Sequence, residues 1–226
     1  MKIWDIHAGY LNSQSLIAEH LEIHRIASII DKKDYLQDAE TIHWINHSWA
    51  LKQRHNQLAY EMELRGFIDK SPMNIICSDK EVWPKTYIEE PCHQFQSLKE
   101  KYANQENGRI ALPINEQQLW SHHKYSVLAR DPNIYKKIGR DIATMKINFS
   151  ELAILLIEIL RIPPKEGGIR NALQHMWGYV SDEYSKDVNL WSLHKLLQEI
   201  QKRSIKNSYI TNSTALSELM VWLIKE

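Results

Sequence analysis

The sequence predicts an all-α protein. Turn formers are scarce, with seven glycines and seven prolines among 226 residues. Apolar residues recur at helical spacing over long stretches bounded by capping residues. Hydrophobic residues make up 43% and charged residues 25% of the chain, which places it among globular proteins. The length allows two domains, each able to bury a core. The expected arrangement is a multi-helix domain over residues 1–112 packed on a helical domain over residues 113–226, with Pro113 at the boundary.

Asn12 or Ser13 can cap the first helix, whose apolar positions are Leu16, Ile17, Leu21, Ile23, Ile26 and Ile30. The polar run from Asp31 to Asp34 ends it. A short helical or irregular segment opens at Asp38 and carries Trp44. A longer helix over residues 48–65 follows, with Leu51, Leu58, Met62 and Leu64 as its core side and Gly66 as its stop. Residues 77–92 read as a loop held over the core by Trp83 and Tyr87, and a helix over residues 93–104 comes next. In the second half, helices are expected over residues 115–129, 133–145 and 151–161, the last capped by Ser150. Pro163-Pro164 and Gly167-Gly168 mark a loop. Three more helices fit residues 169–182, 189–203 and 213 to the end.

Composition narrows the function classes. Lys plus Arg and Asp plus Glu are balanced at 28 each. Residues 1–76 hold 8 basic and 10 acidic side chains, and residues 113–226 hold 15 and 12. That balance lacks the basic excess usual for polyanion binding. The two cysteines, Cys77 and Cys92, form no C-x-x-C pair, so a thiolate zinc site is not expected. A single disulfide is conceivable, but a reduced cytoplasmic protein fits better. No secretory leader is visible, and the longest apolar run, residues 152–160, suits a buried helix rather than a membrane span.

Two groups near the start of the chain could do chemistry. An α-amine has an ordinary pKa near ~8, against ~10.4 for lysine, so part of it is unprotonated at neutral pH and able to attack carbon. The bulky Lys2 should block removal of the initiator, leaving the amine on Met1 itself. Glu19, Glu22 and Arg25 are spaced i, i+3, i+6 along one helix face. They are either a solvated stripe with an internal ion pair or the frame of a reactive carboxylate. A carboxylate against an apolar wall can have a raised pKa and shuttle protons.

Lys2-Ile3-Trp4, Gln14, Ala18-Glu19, Glu22 and Arg25, with the basic helix LKQRHNQLAYEMELRGF ending in Arg65-Gly66-Phe67, resemble the pyrimidine-dimer DNA glycosylase family typified by bacteriophage endonuclease V. The resemblance spans residues 1–112 and is firmest before Pro72. It implies that the Met1 amine attacks C1′ of a damaged nucleotide and forms an imine, and that Glu22 assists this step and the β-elimination that nicks the strand. It implies no cofactor and no metal. Lys2 and Arg25 would hold phosphates or sugar, and Gln14, His20 and Arg65 would also contact DNA. The partner would be double-stranded DNA with a damaged or abasic nucleotide, bound by a monomer with no membrane association. Leu21 stands where the family has arginine. The alternative is a catalytically silent nucleic-acid- or protein-binding module on the same scaffold.

The eleven histidines include His20 and His24 at i, i+4, a metal-ligand spacing, but no third ligand can be named from sequence. Packing or surface roles are expected of them. Residues 117–182 resemble an uncharacterised bacterial helical domain, through His122-His123-Lys124-Tyr125, Ala129-Arg130-Asp131-Pro132, Tyr135, Gly139-Arg140 and the run from Asn171 to Tyr179. That resemblance implies no activity. Lys124, Arg130, Lys136, Lys137, Arg140 and Lys146 read as a solvated surface or as a supplementary DNA contact. Leu173, Met176, Trp177 and Val180 read as core.

Overall fold

The computed structural model describes residues 2–32, 38–73, 75, 81–181 and 186–223. Among them there is no strand; the fold is all-α. The chain divides into two compact units, Met1–Gly108 and Arg109–Glu226.

In the first unit, helix α1 (Ser13–Lys32) is capped by Asn12, whose Oδ1 accepts the Ser15 N–H at 2.9 Å. Its buried face is not the apolar stripe expected. Leu16, Ile23 and Ile26 are fully buried, but Ile17 and Leu21 are exposed, and Glu19, His20 and Glu22 take their places inside. Helix α2 (Ala39–Trp44) starts at Asp38, which accepts the Thr41 N–H. Helix α3 (Ser48–Leu64) packs along α1 and buries Leu51, Leu58 and Met62. Gly66 ends it at φ 81°, the left-handed geometry that glycine adopts without Cβ strain. Helix α4 (Pro91–Lys101) begins two residues before its expected start because Pro91 occupies its first turn. Tyr10 meets Phe95 edge to face at 5.1 Å, and the Tyr102 hydroxyl accepts the Asn12 N–H, tying α4 to the start of α1. The preceding loop is held by Trp83 against Trp49, as expected from its aromatics. Cys92 is a half-buried free thiol, while Cys77 lies outside the described residues.

The second unit is built around α5 (Glu116–Leu128), which contacts α6 (Pro132–Ala143), α7 (Phe149–Leu160) and α8 (Glu166–Val180). The cap of α7 is Asn148 rather than Ser150, because Asn148 and Glu151 close a reciprocal capping box. Gly167-Gly168 lie inside the first turn of α8, not in a loop. A Cβ on Gly168 would fall 2.0 Å from the Ala129 carbonyl oxygen, so glycine here lets α8 approach the end of α5. Leu173, Met176 and Trp177 are core. Helix α9 (Leu193–Ser204) starts at the cap Ser192.

The terminal helix expected from residue 213 is α11 (Ala215–Glu218) running directly into a 3-10 turn (Leu219–Trp222), and an unexpected short α10 (Ser208–Thr211) precedes it. Tertiary hydrogen bonds separate α10 from α11. Thr214 donates both its N–H and its hydroxyl to the His122 carbonyl. Arg109 donates to the carbonyls of Thr211 and Ser213. Gln201 donates to the Leu216 carbonyl. Backbone groups engaged this way are not available to a continuous helix.

Arg130 corrects a further expectation. Its side chain is 4% exposed and paired with the buried Glu218 at 2.6 Å. It also donates to the carbonyls of Ser126, Leu160 and Ile162. It is the polar centre of the second unit and no part of a basic surface. Lys124 is half-buried, with its ammonium over the rings of Tyr125 and Tyr209. Lys136, Lys137, Arg140 and Lys146 are exposed.

Candidate active site

Residues 2–6 form a non-helical segment whose backbone donors are claimed one after another. Ile3 N–H donates to Glu40 on α2. Trp4 N–H donates to Glu19 Oε1 on α1 at 3.1 Å. The Asp5 and Ile6 N–H groups donate to Gln94 Oε1 on α4, at 2.9 and 3.4 Å. Gln94 has no exposed surface, and its amide donates in turn to Asp5 and to the Glu89 carbonyl. An isolated non-helical segment of this length has no intrinsic stability. Here three helices supply the acceptors that a sheet would otherwise provide.

Glu19 is the pivot of this anchoring. Arg54 on α3 grips it with both ends of its guanidinium, at 2.8 and 3.0 Å, and both side chains are almost wholly buried. Burial pushes the Glu19 carboxyl up from its ordinary range, against the opposing pull of Arg54.

Glu22 lies one turn further along α1 and is 6% exposed. Arg25 donates to both of its oxygens, at 3.0 and 2.7 Å, and also lies 3.7 Å from Asp38. Burial alone would raise the Glu22 pKa, but the Arg25 hydrogen bonds and charge outweigh it and hold the carboxyl below its ordinary value. This corrects the expectation of a raised pKa: Glu22 is ionised at neutral pH and suited to accept a proton. It also corrects the picture of a solvated stripe, since Glu19 and Glu22 are both buried.

Besides Glu19, the Glu40 carboxyl is raised, to about 7. Burial is the main cause, opposed by the Ile3 hydrogen bond and the charge of Lys2. Its Oε2 is buried without a hydrogen-bond partner, in a crevice that it shares with Ile3, Trp44 and Gln94. The sequence analysis did not single out this residue. Its only sequence signal is its place in the first turn after a capping aspartate, which many helices show.

The other expected DNA contacts divide in two. Gln14 is exposed in the first turn of α1, and Arg25 keeps 40% of its side-chain surface exposed. Lys2 is partly exposed, pairs with Glu89 and stacks its ammonium 4.2 Å above Trp4. Burial lowers its pKa against the pull of Glu40, Asp5 and Glu19. Arg65 and His20, by contrast, are engaged inside the protein. Arg65 pairs with Glu61 and donates to the carbonyls of Ala8, Gly9 and Leu11, bracing the 3-10 turn Ala8–Tyr10. His20 is buried against His24 and His55. Direct DNA contact by these two does not follow from their surroundings. Met1, the expected nucleophile, lies outside the described residues.

Comparison with known families bears on this arrangement. Residues 1–75 match the family model described as pyrimidine dimer DNA glycosylase. That match takes in Glu19, Glu22, Arg25, Glu40, Arg54 and Arg65, and it supports a general DNA-repair glycosylase role with DNA as substrate. Residues 124–220 match a model described as a protein of unknown function (DUF1722). The two matches reproduce the two-part architecture read from the sequence. No curated protein and no solved structure matches the chain. No described helix is long and apolar enough to cross a membrane.

Proposed function

We propose that this protein is a DNA glycosylase with AP-lyase activity, acting on pyrimidine dimers or abasic sites through the α-amine of Met1. The observation that carries the reading is the anchoring of the segment after Met1. Glu40 holds Ile3, Glu19 holds Trp4, and the ionised Glu22 stands one helical turn from Glu19.

In this reading the amine lone pair forms a bond to C1′. The glycosidic bond breaks and the base departs with its electron pair; the amine then loses its protons as the C1′–O4′ bond opens and O4′ takes up a proton, leaving an imine between protein and ring-opened deoxyribose. Glu22 accepts a proton from C2′, and the electrons of that bond expel the 3′ phosphate. Each step is proton transfer and bond exchange at carbon, so the protein's own groups suffice. Extrusion of the damaged nucleotide from the stack brings C1′ within reach. Gln14, Lys2 and the exposed edge of Arg25 are the contacts to sugar and phosphate, while Arg65 and His20 position the scaffold. The enzyme acts as a monomer in the cytoplasm.

The test is borohydride trapping on abasic and dimer-containing duplexes in parallel. The wild type is expected to form a covalent adduct. Glu22→Gln should bind DNA but not nick it, and a short N-terminal extension should abolish trapping by converting the amine to an amide. Absence of any adduct with the wild type would reject the reading in favour of a silent binding module.

A further inference from the structure

We propose that His20, His24, His55 and Asp69 form a binding site for a divalent zinc-class cation that ties α1 to α3 and to the segment following α3. The inference does not rest on the glycosylase reading, and the ion takes no part in the imine chemistry.

The three imidazoles form a nearly equilateral triangle, with ring centroids 4.7, 4.8 and 4.9 Å apart. Their nitrogens converge: one donor atom from each ring lies within 4.8 Å of the others. His24 Nε2 and His55 Nε2 are 3.2 Å apart. The Asp69 carboxylate closes the fourth side, with Oδ1 at 3.3 Å from His20 Nε2 and Oδ2 at 3.6 Å from His55 Nε2. Zinc binds imidazole nitrogen and carboxylate oxygen at about 2.0–2.1 Å in a tetrahedron, whose edges are then about 3.3 Å. The contacts at 3.2, 3.3 and 3.6 Å match that edge, and the three imidazole donor atoms, within 4.8 Å of one another, need to draw together to enclose an ion.

The hydrogen-bond geometry favours the same conclusion. His55 Nδ1 faces Asn56 Oδ1 at 3.5 Å, which favours a proton on Nδ1 and a lone pair on Nε2 toward the cluster. His20 Nε2 is buried and faces Asp69 Oδ1 at 3.3 Å. Hydrogen bonds can pair these groups two at a time, His20 with Asp69 and His24 with His55. One shared cation would instead draw all four groups to a single centre.

The donor set selects the ion. Three imidazoles and one carboxylate without thiolate suit zinc or cobalt rather than copper(I) or calcium. Four protein ligands leave no open position, as in structural rather than catalytic sites. An ion here would fix the register of α1 against α3, and with it the Glu19–Arg54 pair that anchors Trp4. The sequence spacing of His20 and His24 is the part of this site visible without a structure. His55 and Asp69 join only because α3 and the turn after Gly66 bring them alongside.

The test uses the full chain, stripped with a chelator and titrated with zinc against a competing chromophoric chelator, then with cobalt. One ion per chain is expected, with the visible absorption of tetrahedral cobalt. The half-exposed His24 should tolerate His24→Gln without loss of helix content, and affinity should fall on the order of a hundredfold or more. Asp69→Asn gives a second variant should His24→Gln not fold, and His47→Gln, outside the cluster, should bind as the wild type does. Zinc should raise the melting temperature of the wild type but not of His24→Gln or Asp69→Asn. Less than one ion per chain, or equal affinity in the wild type and both variants, would overturn the site and leave a hydrogen-bonded histidine cluster.

Discussion

Replacing Arg54 with methionine should be among the most damaging single changes in the first unit. Methionine preserves much of the volume, so the change removes charge and hydrogen bonds more than packing. Arg54 has 3% and Glu19 0% of its side-chain surface exposed, and two short hydrogen bonds join them. Without Arg54 the Glu19 carboxylate is left uncompensated in a site that already disfavours its charge. Breaking a buried pair from one side typically costs about 3–5 kcal/mol. That is a large fraction of the ~5–15 kcal/mol of a whole domain. Trp4 loses rigidity with it, because Glu19 Oε1 is also the acceptor for the Trp4 N–H. Urea titration of the full chain, read by hydrogen exchange of peptides from α1 and α3, isolates the first unit from the second. The double variant Glu19→Gln/Arg54→Met removes the stranded charge and should recover at least ~1–2 kcal/mol of the loss. A loss below ~1 kcal/mol in Arg54→Met, or a double variant that equals the sum of the singles, would refute the argument from an uncompensated buried charge.

Three further outcomes are expected. Glu40 has its folded pKa raised from an ordinary 4.5 to about 7, so its contribution is fully present below pH 4.5 and is lost as the pH rises through 7. Allowing for its partial exposure, Glu40→Gln should remove about 1–2 kcal/mol of that pH dependence, measured as unfolding free energy at pH 5 and pH 8. In the second unit, burial depresses His123 to about 3 and, with Arg109 nearby, His122 to about 4. Both stay neutral when folded but protonate when unfolded below 6.5. Stability is therefore lost as the pH falls from 6.5 toward 4, and His122→Gln should flatten this acid limb in a thermal-melt series. Gly168→Ala places a methyl carbon 2.0 Å from a backbone oxygen, so α8 must shift and the second unit should lose roughly 1–3 kcal/mol by urea denaturation.

The helices of this protein were largely legible in its sequence because caps and breakers act locally. Asn12, Asp38, Asn115, Asp131 and Ser192 each cap a helix through a hydrogen bond to a residue at most three positions away. Gly66 ends α3 by its own backbone preference. Where a distant group competed, the local reading failed. The His122 carbonyl and Arg109 draw on the backbone from Thr211 to Thr214 and set a short α10 apart from the terminal helix. Ala129 forces Gly168 into a close approach that looks like a loop signal in the sequence.

The candidate site divides along the same line. Glu22 and Arg25 were visible as a pair because i, i+3 spacing on a helix is a local property. Their state was not. Whether Glu19 faced solvent or a buried guanidinium depended on α3, from which Arg54 reaches across 35 positions of sequence. The same packing decided that Glu22 is held ionised while Glu40 is the carboxyl near 7. It also engaged Arg65 with carbonyls at the start of the chain and completed two helical histidines with His55 and Asp69. The sequence by itself determined the fold class and the chemical types near the start of the chain. Tertiary structure decided which charges are buried, and the energy of a charge depends on the water removed around it rather than on its neighbours in sequence.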